Sequence, residues 1–441
     1  MSPGTTAADE RAARRPVSRD VRLFWCAGAS DALGTQASGV VLPLLLLGLG
    51  HSAALVGLVA GVSTAAGLLL APLAAVPADR GARKPVMFWS ATVSALAMAG
   101  VTVAVAAGRP PLALLLGAVL VERFSTAVYE AAAAGTVAMI APPADCPRVV
   151  AGLSAGDQGA LILGPALGGA LYQAARALPF LADAVSYAVA AGCVRALRSD
   201  LRPDRCADAG PGTRSLSEAE VAAARIDGGA GDPAPQAHPA RRICDELGAG
   251  LALVRSSPLL RLVLIWTATV NGVIVALYYG AVFTLQKGGH GSAPMGLVLA
   301  LSGAAGLAGS LAAPRIAGRI GTARLLVTVT WLLIPLAAGL ATADGPWTYG
   351  ALFGVFCLLM PLVGVVLQSR ALQVTPPGLQ ARTGAVLASA VGGSAALAPV
   401  LAGVCVTRVG TAAPAVVCAA VLAALAWRTT VVRSRLTGVT A

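Results

Sequence analysis

Four ionisable side chains stand where ions are costly. Across residues 23–78 the only charged residue is Asp31, and Glu122, Arg123 and Glu130 fall inside another apolar run. A charged group at the centre of a bilayer costs about 2.5–3.5 kcal/mol on the insertion scale, so such residues call for a chemical reason. Arg123 and Glu130 are seven apart and share one helix face. Arg123 beside two carboxylates keeps them ionised until a substrate or a proton competes. Two uses fit this set. One is coupling to a proton or cation, with Asp31 the first candidate and Glu122 or Glu130 the second. The other is a static buried salt bridge that locks the helix of Asp31 to the helix of Glu122.

Spans must position those groups. The 441 residues carry a formal net charge of +12, yet only 12% of them are charged. A water-soluble domain carries roughly twice that share. With a mean hydropathy of +0.77, the class is an all-α integral membrane protein. Residues 23–78, 262–314, 325–369 and 383–427 each hold one charged residue, and each stretch is long enough for two helices of about 20 residues. The pattern predicts twelve spans, at 22–47, 53–77, 86–107, 111–138, 150–173, 178–197, 260–285, 293–314, 324–342, 347–369, 383–405 and 412–430. Asp31 then lies about 10 Å into the first span, and Glu122 and Arg123 about 15–17 Å into the fourth.

Arg and Lys gather in alternate connections, as in Arg80, Arg83 and Lys84, while the others hold only Arg109, Arg176, Lys287 and Arg408. The positive-inside rule therefore places both termini in the cytoplasm of a multi-pass plasma-membrane protein. The polar, basic start of the chain lacks the apolar core of a secretory signal. Residues 199–242 have the Pro, Gly and charge content of a spacer. Ile243, Leu247, Leu251 and Val254 then recur at helical spacing, predicting an amphipathic helix at 240–257 along the inner membrane surface. The expected organisation is a tail at 1–21, a six-helix bundle at 22–198, a linker at 199–259, a second bundle at 260–430 and a tail at 431–441.

Two motifs stand out. PADRGARKP at 77–85 puts Asp79 at one helix end, with Arg80, Arg83 and Lys84 following and Pro85 opening the next helix. Topology alone would place bases there. A carboxylate that pairs with a base and meets a helix N-terminus also makes contacts that break and re-form as two bundles rock. In the fifth span, Gly156, Ala160, Gly164 and Gly168 recur every four positions within a run that includes GPALGG. That face admits a close neighbour, and Pro165 interrupts the hydrogen-bond ladder. GPALGG at 164–169 is echoed by APVLAG at 398–403, and Pro77 opens a charged turn matched from Pro314. Offsets of about 234 and 237 residues mark a duplicated six-helix unit.

These motifs resemble those of the major facilitator superfamily. Its signature, Gly-x-Leu-Ala-Asp-Arg-x-Gly-Arg-Lys, keeps its charged half at Asp79, Arg80, Arg83 and Lys84, whereas Ala75, Pro77 and Ala82 replace two glycines and the leucine. Gly164, Pro165, Gly168 and Gly169 resemble the fifth-helix motif of proton-coupled exporters. With Phe24, Trp25, Asp31, LADAVSYAVA and SSPLLRLVLI, the chain resembles the macrolide-efflux and enterobactin-exporter branch, and the superfamily resemblance covers residues 20–430. The resemblance implies twelve transmembrane helices in two pseudo-symmetric six-helix bundles, with helices 1, 4, 7 and 10 around a central cavity. It puts Asp31, Glu122 and Arg123 on one aqueous space, with Gln36, Tyr129, Asn271 and Tyr278 as candidate lining residues. Asp157 and Asp183, nearer span ends, read as structural.

Other chemistries lack their residues. Three scattered histidines (His51, His238, His290) and eight cysteines without a CxxC pattern give no metal site or nucleophile set, and no Walker-type phosphate cradle occurs. Neither an enzyme nor a cofactor is expected, and dispersed bases exclude a nucleic-acid surface. Few polar groups suit a hydrophobic or amphiphilic compound better than a sugar. The expected function is proton-coupled efflux of a small organic substrate (a drug, macrolide or siderophore) by alternating access. The expected partners are that substrate, protons and the lipid bilayer, and the chain is expected to be monomeric. The alternative is a facilitator or importer of a small metabolite.

Overall fold

The structure, a computed structural model, describes residues 18–437 apart from 80–82, 109, 143–144, 200, 202–250, 289–291, 344 and 377–378. Among the described residues twelve long helices follow one another: α1 (Arg19–Gly48), α2 (Ala53–Asp79), α3 (Arg83–Ala106), α4 (Leu112–Ile140), α5 (Cys146–Ala174), α6 (Leu178–Ala196), α7 (Pro258–Lys287), α8 (Ser292–Ile320), α9 (Thr322–Leu340), α10 (Pro346–Val374), α11 (Gln380–Arg408) and α12 (Ala413–Thr437). Eleven are long and apolar enough to cross a membrane. The other, α5, has 29 residues but places Arg148, Asp157, Gln158 and many glycines within them. Helix α12 runs past the expected end at 430, because no Gly or Pro interrupts it before Gly438. Of the expected amphipathic helix at 240–257, residues 251–256 are helical, Ser257 caps the next helix, and residues 240–250 lie outside the described residues.

The duplication is visible in the elements. Helices α1 and α7 both have 30 residues and start 239 apart, at Arg19 and Pro258. Each is capped by a serine: Ser18 accepts from the Val21 N–H at 3.2 Å and Ser257 from the Leu260 N–H at 3.4 Å. Such caps satisfy amides that the first turn leaves free. Helices α4 and α10 have 29 residues each and start 234 apart, as do α5 and α11. Within the first half α1 packs on α5 and α6, α3 on α4 and α6, and α2 on α4. Within the second, α7 packs on α11 and α12, α9 on α10 and α12, and α8 on α10. The chain is thus an all-α protein of two pseudo-symmetric six-helix bundles, joined by two main seams, α2 against α11 and α5 against α8.

Both seams close by one geometry. A Cβ on Gly57 of α2 would lie 2.1 Å from the Pro399 carbonyl oxygen of α11, and one on Gly296 of α8 would lie 2.3 Å from that of Pro165 in α5. Likewise Gly403 sits against the Ala53 carbonyl and Gly169 against that of Ser292. Side chains cannot fit at such separations, so glycine is what lets the backbones meet. The Ala54 N–H donates to Thr407 Oγ1 at 3.2 Å, and Ser292 Oγ donates to the Gly169 carbonyl at 3.0 Å. All these contacts cluster toward the face carrying the α1–α2, α5–α6, α7–α8 and α11–α12 turns. The bundles are therefore sealed at the turn face. The opposite face, where α1 starts and α12 ends, is the terminal face.

Candidate functional site

The halves of α1, α4 and α5 nearer the terminal face line a hollow of about 450 Å³. Asp31, Gln36, Arg123, Tyr129, Glu130 and Asp157 are among its walls. The fold thus gathers four of the expected site residues with Arg123, and adds Asp157, which its position near a span end had suggested was structural. Asp31 is half-buried, while Glu130 and Asp157 are exposed to the hollow. Among the described residues no hydrogen bond or ion pair reaches Asp31, so it is no member of a static salt bridge between α1 and α4. Small residues set its access: Gly28 and Ala32 flank it on α1, and Ala133 and Ala134 stand across on α4.

Arg123 pairs with its own neighbour instead. Its Nε lies 3.3 Å from Glu122 Oε2. Glu122, 4% exposed, accepts at Oε1 from the Tyr187 hydroxyl of α6 at 2.7 Å and from Thr126 Oγ1 at 3.3 Å. With its hydroxyl hydrogen committed to Glu122, Tyr187 is left to accept from Thr35 Oγ1 of α1 at 3.0 Å. One carboxylate therefore ties three helices, and its charge is met by a guanidinium and two hydroxyls, as burial requires. Thr35 lines the open hollow. Glu122 and Arg123 line a second cavity, of about 390 Å³, toward the turn face, where Tyr279 of α7 reaches them. Tyr278 was the expected tyrosine. It stacks edge-on against Tyr279 at 5.2 Å.

Asp183 is the most enclosed carboxylate described, 1% exposed. Gly34 of α1 admits it: a Cβ there would lie 2.6 Å from Asp183 Oδ1 and 2.0 Å from Ser186 Oγ. Ser186 in turn accepts at its carbonyl from Ser30 Oγ at 3.2 Å. Asp183 and Tyr187, four apart on α6, present one polar face to α1. The sequence reading took Asp183 as structural and did not single out Tyr187, although their spacing inside an apolar run was the available signal.

In the charged turn, Asp79 ends α2, while its side chain and all of Arg80 lie outside the described residues. Arg83 Nη1 donates to the Gly135 carbonyl of α4 and lies 3.4 Å from Met139 Sδ. Lys84 Nζ donates at 2.6 Å to the carbonyl of Leu197, the residue that caps the C-terminus of α6. Both bases thus staple the start of α3 onto its own bundle. Lys84 does so where a helix end favours a cation. The α5 motif divides its contacts: Gly164 and Gly168 press on Gln36 and Ala37 of α1, while Pro165 and Gly169 face α8.

The second half repeats the open hollow between α7, α10 and α11, with about 330 Å³. Thr267, Gln368, Thr375, Gln380 and Thr383 supply its polar groups, with no charged side chain among its lining. Thr383 Oγ1 is buried without a partner, as is Oδ1 of Asn271 on α7. Among the described residues no group of three acids, histidines or cysteines is arranged to hold a metal ion.

The family description Major Facilitator Superfamily matches residues 24–399. No curated protein sequence matches the chain. Among solved structures, the nucleoside transporter NupG (a D323A mutant) is similar with a TM-score of 0.66 at 12% identity, covering 94% of this chain and 99% of that one. The human organic anion transporter MFSD10 (TETRAN) is similar at 0.58 and 18% identity, covering 94% and 100%. A bacterial homolog of the human lysosomal transporter Spinster, inward-facing and unoccupied, is similar at 0.63 and 12% identity, covering 94% and 95%. At such identities the shared property is the fold.

Proposed function

The chain belongs to the Major Facilitator Superfamily, a multi-pass membrane protein with a transporter's fold rather than an enzyme's, and from that premise we propose that it is a proton-coupled exporter of a hydrophobic or amphiphilic organic compound. Asp31 carries the reading. It is an unpaired acid at membrane depth, on a hollow open at one face, in a molecule sealed at the other by two glycine seams. A carboxylate with no fixed partner is free to take a proton in one conformation and release it in the other. Burial of its ionised form is costly, so loading it eases passage through an occluded state. Glu122 is a poorer candidate, since Arg123, Tyr187 and Thr126 already hold its charge.

In this reading the N-terminus and the charged turn face the cytoplasm, so the state described takes substrate from inside the cell. Asp79 and Arg80 belong to the turn whose contacts change as the bundles rock, while Arg83 and Lys84 hold that turn to its own bundle. The test is inverted membrane vesicles with an acidic interior. The protein should accumulate a hydrophobic dye or macrolide against its gradient. Asp31→Asn should abolish that uphill flux while inserting normally. Full uphill transport by the variant would remove Asp31 from coupling. Flux that ignores the proton gradient in the native protein would instead favour a facilitator.

A further inference from the structure

We propose that the hollow between α1, α4 and α5 binds a lipophilic organic cation. The inference rests on the transporter reading above and adds the charge class of what is carried. Asp31, Glu130 and Asp157 reach one space from three helices, and the guanidinium beside them, Arg123, is already paired with Glu122. Counting Asp31, Glu122, Glu130 and Asp157 against Arg123 leaves a formal charge of −3. Carboxylates without fixed partners in a partly dehydrated hollow draw a counter-charge strongly, because the low dielectric magnifies the attraction.

The duplicated half shows that the fold does not demand these acids. At the 234-residue offset shared by α4 with α10 and α5 with α11, Glu130 corresponds to Gly364 and Asp157 to Val391, both lining the second hollow. Leu153 and Leu387 correspond in the same way. One framework therefore holds a strongly acidic hollow in one half and a neutral one in the other.

Spacing and walls exclude a small inorganic ion as the match. The acids do not converge as metal ligands do, so a cation that meets more than one must have molecular size, in keeping with a hollow of about 450 Å³. Tyr129 is 7% exposed and forms part of the wall. Its hydroxyl has no hydrogen-bond partner among the described residues. With Phe24 it supplies aromatic surface, which attracts an organic cation through its π face. Gly28, Ala32, Ala133 and Ala134 complete walls suited to an apolar body.

Tetraphenylphosphonium and tetraphenylborate share a shape and differ in the sign of their charge, so equilibrium binding of the two to the full chain in lipid nanodiscs isolates the claim. The native protein should bind the phosphonium at least tenfold more tightly than the borate. Asp31→Asn and the exposed substitution Asp157→Asn should each weaken phosphonium binding about tenfold, with Thr267→Val in the neutral hollow leaving it within twofold. Equal binding of the two ions, no binding of the phosphonium, or phosphonium affinity untouched in both acid variants would overturn the proposal. Flux of an uncharged hydrophobic compound, measured separately in vesicles, distinguishes that result from failure of the exporter reading.

Discussion

Glu122 is held by donors from two helices, and that makes Tyr187 the residue whose loss is most informative. Its hydroxyl donates to Glu122 at 2.7 Å and meets Thr35 at 3.0 Å. A hydrogen bond to a charged group contributes about 1.5–3 kcal/mol. Tyr187→Phe keeps the ring in its slot and removes the bond to Glu122 along with the hydroxyl contacts to Thr35 and Thr126. It should lower the thermal midpoint of the detergent-solubilised protein by several degrees and slow transport, while Thr35→Val does less. An unchanged midpoint would mean that Arg123 and Thr126 suffice for Glu122. The acids Asp31, Glu122 and Glu130 were legible in the sequence, because charge inside a long apolar run has few explanations. Their partners were not. Arg123 sits beside Glu122 as adjacency suggests, but the Tyr187 hydroxyl that also holds Glu122 comes from another helix, and Asp183 is enclosed only because Gly34 on another helix makes room. Depth along one span carries no information about what the facing helix omits.

Among the elements, α5 and α11 do the same work at symmetry-related positions, and glycine at Gly169 and Gly403 permits it. A valine at either site would drive carbons into the carbonyls of Ser292 or Ala53, so it should disfavour the state sealed at the turn face. A substitution that destabilises one of two conformations shifts population to the other in proportion to its differential cost. With Glu130→Cys as reporter in a cysteine-depleted background, Gly169→Val and Gly403→Val should each reduce labelling from the terminal face several-fold. Undiminished labelling would show that the seams tolerate widening without a change of state. The repeat of GPALGG in APVLAG was readable beforehand, as were the spans, since hydrophobic length fixes them. Which small residues face which neighbour was not. Gly168 and Gly169 are adjacent in sequence, yet one meets α1 and the other α8, a choice made by the packing of three helices at once. Lys84 belongs at this scale too. Lys84→Met forfeits a charge-assisted bond at the end of α6, at a cost of about 0.3–1 kcal/mol, measurable as a small drop in midpoint without loss of substrate binding.

For the whole molecule, the seal at the turn face and the hollows toward the terminal face are one arrangement: the two bundles meet where glycines let them, and each carries its hollow on the other side. Transport by rocking then requires that both seams part together. Ala54 and Thr407 are placed to test this, since the Ala54 N–H already bonds to the Thr407 hydroxyl across the α2–α11 seam. Cysteines at both positions, joined by a short bifunctional reagent with a reducible link, should hold the chain open at the terminal face. Uphill flux should stop and return on reduction. Cysteine at Glu130 should stay fully reactive in the joined protein, because the hollow opens away from the link. If flux continued with the link intact, the α2–α11 seam would be a fixed axis and the opening would have to occur elsewhere. The pseudo-symmetry makes that outcome hard to reconcile with the packing. The α5–α8 seam repeats the same carbonyl-on-glycine contacts, Pro165 on Gly296 as Pro399 on Gly57, and two bundles held apart at one such seam cannot close squarely at the other.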